Sequence, residues 1–134
     1  MPETKKETTY KVDYDFALTF QGTPLNVRDG DELVPLTIAN LITTIVGQIP
    51  ISQLKVDELT DILAIKDAVA NKEPLTHKQV LLVLRYLKAT QLALDVIFQI
   101  TRAFGIEDKD VPTYLKEAGD PPKNPSAVPP MLNL

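Results

Sequence analysis

The spacing of apolar residues changes at Thr37, and that change restricts the chain to a fold with strands first and helices after. Before it, Tyr10, Val12, Tyr14, Phe16, Leu18 and Phe20 recur at every second position, with Lys11, Asp13, Asp15 and Thr19 between them. A period of two puts alternate side chains on one face, so the stretch reads as a strand with one buried side. It carries two of the four Tyr and two of the four Phe, which makes it an anchor for the core or for an interface. Gln21 and Gly22 offer a turn, and Thr23, Leu25 and Val27 resume the period before Asp29-Gly30-Asp31-Glu32 interrupts it. The pattern is that of a hairpin, with a further strand near Leu33 and Val34.

After Thr37 the period is helical. Ile38, Leu41, Ile42, Ile45 and Val46 make one stripe, opened by Thr37 as N-cap and stopped by Gly47. Residues 47–52 connect to a second helix marked by Leu59, Ile62, Leu63, Ala68 and Val69, with Asp57 or Ser52 as its cap and an end between Asn71 and Pro74. The third start is the clearest: Thr76 is followed three positions later by Gln79, a capping box, and Leu75 and Val80 flank it as a hydrophobic staple. Helical spacing then runs to Phe104 and Gly105, as one long helix or as two joined near Ala89 and Thr90. A last short helix follows, with Asp110 at the cap, Pro112 early and Gly119 past the end. The expected class is α+β, an N-terminal β-hairpin packed on a bundle of about four helices.

Beyond Gly119 the composition shifts, with five prolines in the last fifteen residues. That density excludes helix and central strand and predicts an extended tail. The division is a flexible arm over 1–9, one α+β domain over 10–119, and a Pro-rich tail over 120–134. The tail is apolar again near its end. Val128, Met131, Leu132 and Leu134 group around Pro129 and Pro130, and these six are the candidate partner-binding residues, since extended segments bind through such anchors.

Composition removes several chemistries. The chain has 134 residues, 44% of them apolar, enough for one core. It has no cysteine, so disulfides, thiolate metal sites and thiol nucleophiles are excluded, in keeping with a reducing compartment. A net charge of −4 argues against a general nucleic-acid binder, which needs a basic face. The polar first nine residues resemble neither a signal nor a transit peptide. No apolar run approaches the roughly 20 residues that span a bilayer. These features predict a cytoplasmic protein with no membrane or nucleic-acid partner and no cofactor.

Catalytic constellations are missing by the same reading. The single His77 follows the cap of the third helix, where the helix dipole disfavours its charged form, and it reads as an ordinary solvent-facing residue. Asp29, Asp31 and Glu32 alternate as in a calcium loop, but Leu33-Val34-Pro35-Leu36 follows where further oxygen ligands belong, so turn chemistry accounts for them. Asp13 and Asp15 read as a solvated strand face. The five glycines stand apart, so no phosphate-binding loop forms. The apolar residues from Val80 to Ile100 occupy more than one helix face. Either they form the central helix, or another chain covers part of them.

The arrangement Phe20-Gln21-Gly22-Thr23-Pro24, then Leu36-Thr37-Ile38-Ala39-Asn40-Leu41-Ile42, then Leu75-Thr76-His77-Lys78-Gln79-Val80 resembles a pattern in small bacteriophage and prophage proteins. In these, a hairpin folding over a Gly-X-Pro turn precedes helices introduced by Leu-Thr. The likeness covers roughly residues 14 to 105 and leaves out the tail. It implies a phage-encoded accessory, assembly or host-directed protein that acts by binding, in the host cytoplasm or the virion. The expectation is a non-enzymatic module whose partner is a virion protein, a host protein or a second copy of itself. The alternatives are an inhibitor of a host factor or defence system, contacting through Asp13, Asp15, Asp29, Asp31 and Glu32, and a small enzyme with a carboxylate site.

Overall fold

The computed structural model describes residues 8–49, 52 and 54–120, and shows an α+β chain of five helices and small antiparallel strand pairs. The strands are β1 (Thr9–Tyr10), β2 (Thr19–Phe20), β3 (Thr23–Pro24), β4 (Asn26–Asp29) and β5 (Glu32–Pro35). Helices α1 (Ile38–Gly47) and α2 (Val56–Asn71) precede β6 (Leu75–Thr76), and α3 (His77–Leu87), α4 (Leu94–Ala103) and α5 (Val111–Ala118) complete the order.

The run from Tyr10 to Phe20 is not one strand. Its beginning pairs with β6, Thr9 opposite Thr76 and Tyr10 opposite Leu75, whereas its end pairs with β3. Between them the backbone turns at Asp13–Tyr14–Asp15, where Phe16 N–H donates to the Asp13 carbonyl at 3.3 Å. The intervening polar groups are spent on other elements: Asp13 N–H donates to the Ala103 carbonyl, and the carbonyls of Tyr14 and Phe16 accept from the Ala39 and Ile38 N–H groups. Those are the first two donors of α1, and the Thr37 hydroxyl takes the third, from Asn40. All three orphan donors at that helix start are thereby paired. Burial still alternates, with Val12, Tyr14 and Leu18 inside, but Phe16 breaks the series at 39% exposure.

Two hairpins follow instead of one. In the first, Gln21 and Gly22 both lie at positive φ, +52° and +81°, the pattern of a type I′ turn. In the second, β4 and β5 pair from Asn26–Pro35 to Asp29–Glu32 around Gly30 at φ +66°. Leu18, Leu25 and Leu36 join the hairpins through a ring of backbone hydrogen bonds of 2.9–3.0 Å.

The helix starts follow local chemistry. Ile38, Leu41, Ile42, Ile45 and Val46 are the buried stripe of α1. At α3 the capping box closes in both directions, Gln79 N–H to the Thr76 hydroxyl at 3.2 Å and Thr76 N–H to Gln79 Oε1 at 3.0 Å, with the staple residues Leu75 and Val80 fully buried. Thr76→Ala is expected to cost about 1 kcal/mol of unfolding free energy in urea titration. A cost near zero would mean that the pairing of β6 alone holds the helix start. For α2 the expected caps are corrected: Lys55 stands at the N-cap, and Glu58 reaches back to accept its N–H at 3.2 Å. Asp57 is already inside the first turn, and Ser52 is three residues upstream of the cap. Asp110 stands before α5, but its side chain makes no capping bond.

The segment from Thr76 to Phe104 is two helices. A 3-10 turn over Lys88–Thr90, closed by the Thr90 hydroxyl on the Leu87 carbonyl at 2.6 Å, leads to Gln91 at φ +55°, and the chain changes direction. Helix α3 buries Val80, Leu82, Val83, Leu84, Tyr86 and Leu87, which is why its apolar residues occupy several faces. It is the central helix, with α1, α2 and α5 packed against it. On α4, by contrast, Val96 and Ile100 point inward while Leu94 remains 60% exposed. Among the described residues no helix is long and apolar enough to cross a membrane.

Candidate functional site

The outward side of α4 and the turn that carries Phe16 form the most distinctive surface among the described residues. Leu94, Phe98 and Arg102 recur every four residues, so they make one stripe along the helix. Beside the stripe, Asp13, Phe16, Gln99, Arg102 and Ala103 line a pocket of about 330 Å³. Arg102 joins the two features, lining the pocket while its guanidinium lies 5.9 Å from the centre of the Phe98 ring.

The walls are fixed by hydrogen bonds. Gln99, largely buried, clasps the backbone of Thr19 from both sides: its Oε1 accepts the Thr19 N–H at 3.0 Å, and its Nε2 donates to the Thr19 carbonyl at 2.7 Å. This holds β2 against α4. Arg102 donates to both carboxylate oxygens of Asp108, from Nε at 2.9 Å and from Nη2 at 2.7 Å. The fork geometry stops the guanidinium from swinging off Phe98. The hydrogen bond to Arg102 holds the Asp108 carboxyl below the usual carboxylate range, and the same bond raises Arg102. The Asp13 N–H bond to Ala103 pins the turn on which Phe16 stands.

No protein-family model, curated protein or solved structure matches the chain. The chemistry of its own surface therefore carries the functional reading.

A second cluster surrounds His77, which is half-buried and not an ordinary solvent-facing residue. Its Nδ1 meets the Tyr10 hydroxyl at 2.8 Å, its Nε2 meets Glu117 Oε2 at 3.1 Å, and Tyr10 continues to the Tyr114 hydroxyl at 2.7 Å. The rings of Tyr10 and Tyr114 stack edge-on at 6.2 Å. Burial, followed by the hydrogen bond shared with Tyr114, raises the Tyr10 phenol far above its ordinary range. A phenol held protonated in this way is a poor base and a poor nucleophile. The relay also runs in either direction. With neutral His77 donating to Glu117, Tyr10 donates to Nδ1; with protonated His77, Nδ1 donates to the Tyr10 oxygen and the Tyr10 hydroxyl donates to the Tyr114 oxygen. The cluster is a latch joining β1 and α5 to the start of α3.

A smaller groove of about 200 Å³ lies between α2, α3 and α5 and is crossed by ion pairs. Arg85 Nη2 donates to Glu58 Oε2 at 2.7 Å, and Lys78 lies 3.2 Å from Asp61. Burial pushes the Glu58 carboxyl up, but the bonds from Arg85 and from the Lys55 N–H together hold it below its ordinary value. These pairs fasten α2 to α3.

The other acidic positions separate in space. Asp15 is ion-paired with Lys72 at 3.0 Å, whereas Asp29, Asp31 and Glu32 stand exposed at the tip of the second hairpin. No group of three or more His, Asp or Glu is placed to hold a metal ion among the described residues. The candidate anchors Val128, Pro129, Pro130, Met131, Leu132 and Leu134 lie outside those residues.

Proposed function

We propose that this chain is a non-enzymatic protein-binding module that docks through the Phe16–Leu94–Phe98 surface together with its terminal arms. The single observation that carries the reading is the exposure of Phe16 on the wall of an apolar pocket with a polar rim, next to the α4 stripe that begins at the exposed Leu94. Large aromatic and aliphatic side chains next to a preformed pocket, ringed by an arginine and a carboxylate, have the make-up of an interface core and rim. In this reading the hairpins and the five helices serve as the scaffold that holds the surface still, and the Pro-rich tail adds a second contact. The likeness to small phage proteins supplies the setting, a virion component or assembly factor in the host cytoplasm or the virion. The exposed acidic tip at Asp29, Asp31 and Glu32 favours a second reading, an inhibitor of a basic host protein.

The test is affinity capture from infected or lysogenic cells with the full chain and with Phe16→Asp and Leu94→Asp. Leu94 is the first residue of α4, where an acidic side chain suits the helix dipole, so that variant is expected to fold. Recovery of a capsid or tail protein, weakened about tenfold or more by either change, is the expected result. A stoichiometric complex with a host enzyme that ignores both changes and is lost on Asp31→Lys would establish the inhibitor reading instead.

A further inference from the structure

We propose that, in the free protein, the apolar end of the Pro-rich tail seats on the Phe16–Leu94–Phe98 surface of the same chain. The proposal rests on the reading of that surface as a docking site and adds what occupies it before a partner arrives. The occupant is Val128 with Met131, Leu132 and Leu134.

Where the tail leaves the domain is the first argument. The Asp120 carboxylate lies 3.5 Å from Lys88 Nζ, and the same ammonium donates to the Leu115 carbonyl at 2.9 Å. Lys88 opens the 3-10 turn that leads into α4, and Leu94 is only six residues beyond it. Six Cα–Cα steps of about 3.8 Å cover at most ~23 Å, which bounds how far the start of the apolar stripe lies from Lys88, where the tail exit is tied. From there the stripe to Arg102 runs eight residues, about 12 Å at the helical rise.

Reach is the second. Seven residues lie between Asp120 and Val128, so eight steps at an extended limit of about 3.5 Å each reach ~28 Å, on the scale of the distance to Leu94. Three more extend the reach at Met131 to ~39 Å, an added ~10 Å comparable with the ~12 Å length of the stripe. The anchors therefore fall in the order in which the surface presents its features. Prolines between them shorten the list of conformations the segment loses on docking.

The third argument is chemical fit. The pocket of about 330 Å³ is at the small end of ligand-sized cavities, suited to one or two side chains of Met or Leu size. Leu33 on β5 and Val56 and Leu63, both on α2, are also exposed, but none of the three lines this pocket. An occupant tethered in the same chain acts at an effective concentration of order millimolar, so even a weak contact is populated. A partner must displace it, and its apparent affinity falls by the fraction of chains in which the surface is open.

The chain has no cysteine, so a spin label at Asn133→Cys reports on one place only. Asn133 is not one of the proposed anchors. Amide signals of Phe16, Leu94, Phe98 and Ala103 in the labelled full-length chain are expected to vanish, to return on reduction of the label, and to be unchanged by dilution. Adding Met131→Asp and Leu132→Asp to the labelled chain should restore them. Signals that never weaken, or that weaken evenly over the whole surface, overturn the proposal. Signals lost in an unlabelled chain mixed with a labelled one would assign the tail to a second copy and overturn it as well. No partner is present in this experiment, so its failure is distinct from a failure of the capture assay, which tests the docking surface itself.

Discussion

Replacing Phe104 with alanine is expected to remove about 3–5 kcal/mol of unfolding free energy. The side chain is fully buried, at the point where α4 ends. The ending is a Schellman turn: Ile106 N–H donates to the Thr101 carbonyl at 3.0 Å, Gly105 N–H to Arg102 at 2.9 Å, and Gly105 takes φ +82°. Ile106 is buried behind it, so Phe104 is enclosed by its own turn and by the core, and little backbone is free to collapse into the space it leaves. Against a typical total of 5–15 kcal/mol, the loss takes a large part of the stability. Urea titration reads it as a lower midpoint at unchanged slope. Phe104→Leu, which keeps most of the volume, should lose clearly less. A loss below about 1 kcal/mol for the alanine variant would mean that the end of α4 is loosely packed. The Gln99 clasp on Thr19 and the Asp13 bond to Ala103 would then have no firm base, and the pocket beside Phe16 would lose its rigid wall.

The helical part of this fold was legible because its signals are local. The α1 stripe, the Thr76–Gln79 box and the Gly105 stop each need only a few neighbouring residues to define them, and the structure places each where spacing does. The first twenty residues were less legible, because their backbone partners are distant in sequence. A period of two records which side chains are buried, and Val12, Tyr14 and Leu18 obey it. It does not record that Thr9 and Tyr10 pair with Leu75 and Thr76, or that the carbonyls of Tyr14 and Phe16 are taken by the start of α1. Those commitments bend the chain at Asp13–Asp15 and turn Phe16 outward.

The same reasoning separates the surfaces. Leu94 and Phe98 belong to an apolar run that continues the one on α3, and nothing near them in sequence distinguishes the interior helix from the one at the edge. The direction change at Gln91 decides it, and a left-handed glutamine has no strong sequence signature. Tyr10, His77, Tyr114 and Glu117 come together across 104 positions of sequence between the two tyrosines, so His77 seen alone gave no sign of its partners. A capping box told where α3 begins; it could not tell that the residue just inside it would tie both ends of the domain together.

Tyr14 gives the fold an alkaline weakness that one substitution can isolate. Its hydroxyl donates to the Glu73 carbonyl at 2.6 Å, and burial, followed by the charge of Glu73, pushes the phenol up to about 12. An unfolded tyrosine titrates near 10. The folded value is the higher one, so the folded state binds the proton more tightly and its contribution is fully present below pH ~10. It is lost as pH rises from about 10 through 12, where the unfolded phenol has ionised and the folded one is only beginning to. A difference of about two units corresponds to about 2–3 kcal/mol across that window. Lysines also lose charge there, so the measurement is the difference between the wild type and Tyr14→Phe. At pH 8 the phenylalanine variant is expected to be about 1 kcal/mol less stable, through loss of one partly buried hydrogen bond to the Glu73 carbonyl. Near pH 11.5 the order should reverse, because the variant has no phenol to ionise. Parallel stability curves from pH 8 to pH 12 would show that Tyr14 titrates alike in both states, and that the bond to Glu73 does not hold its proton.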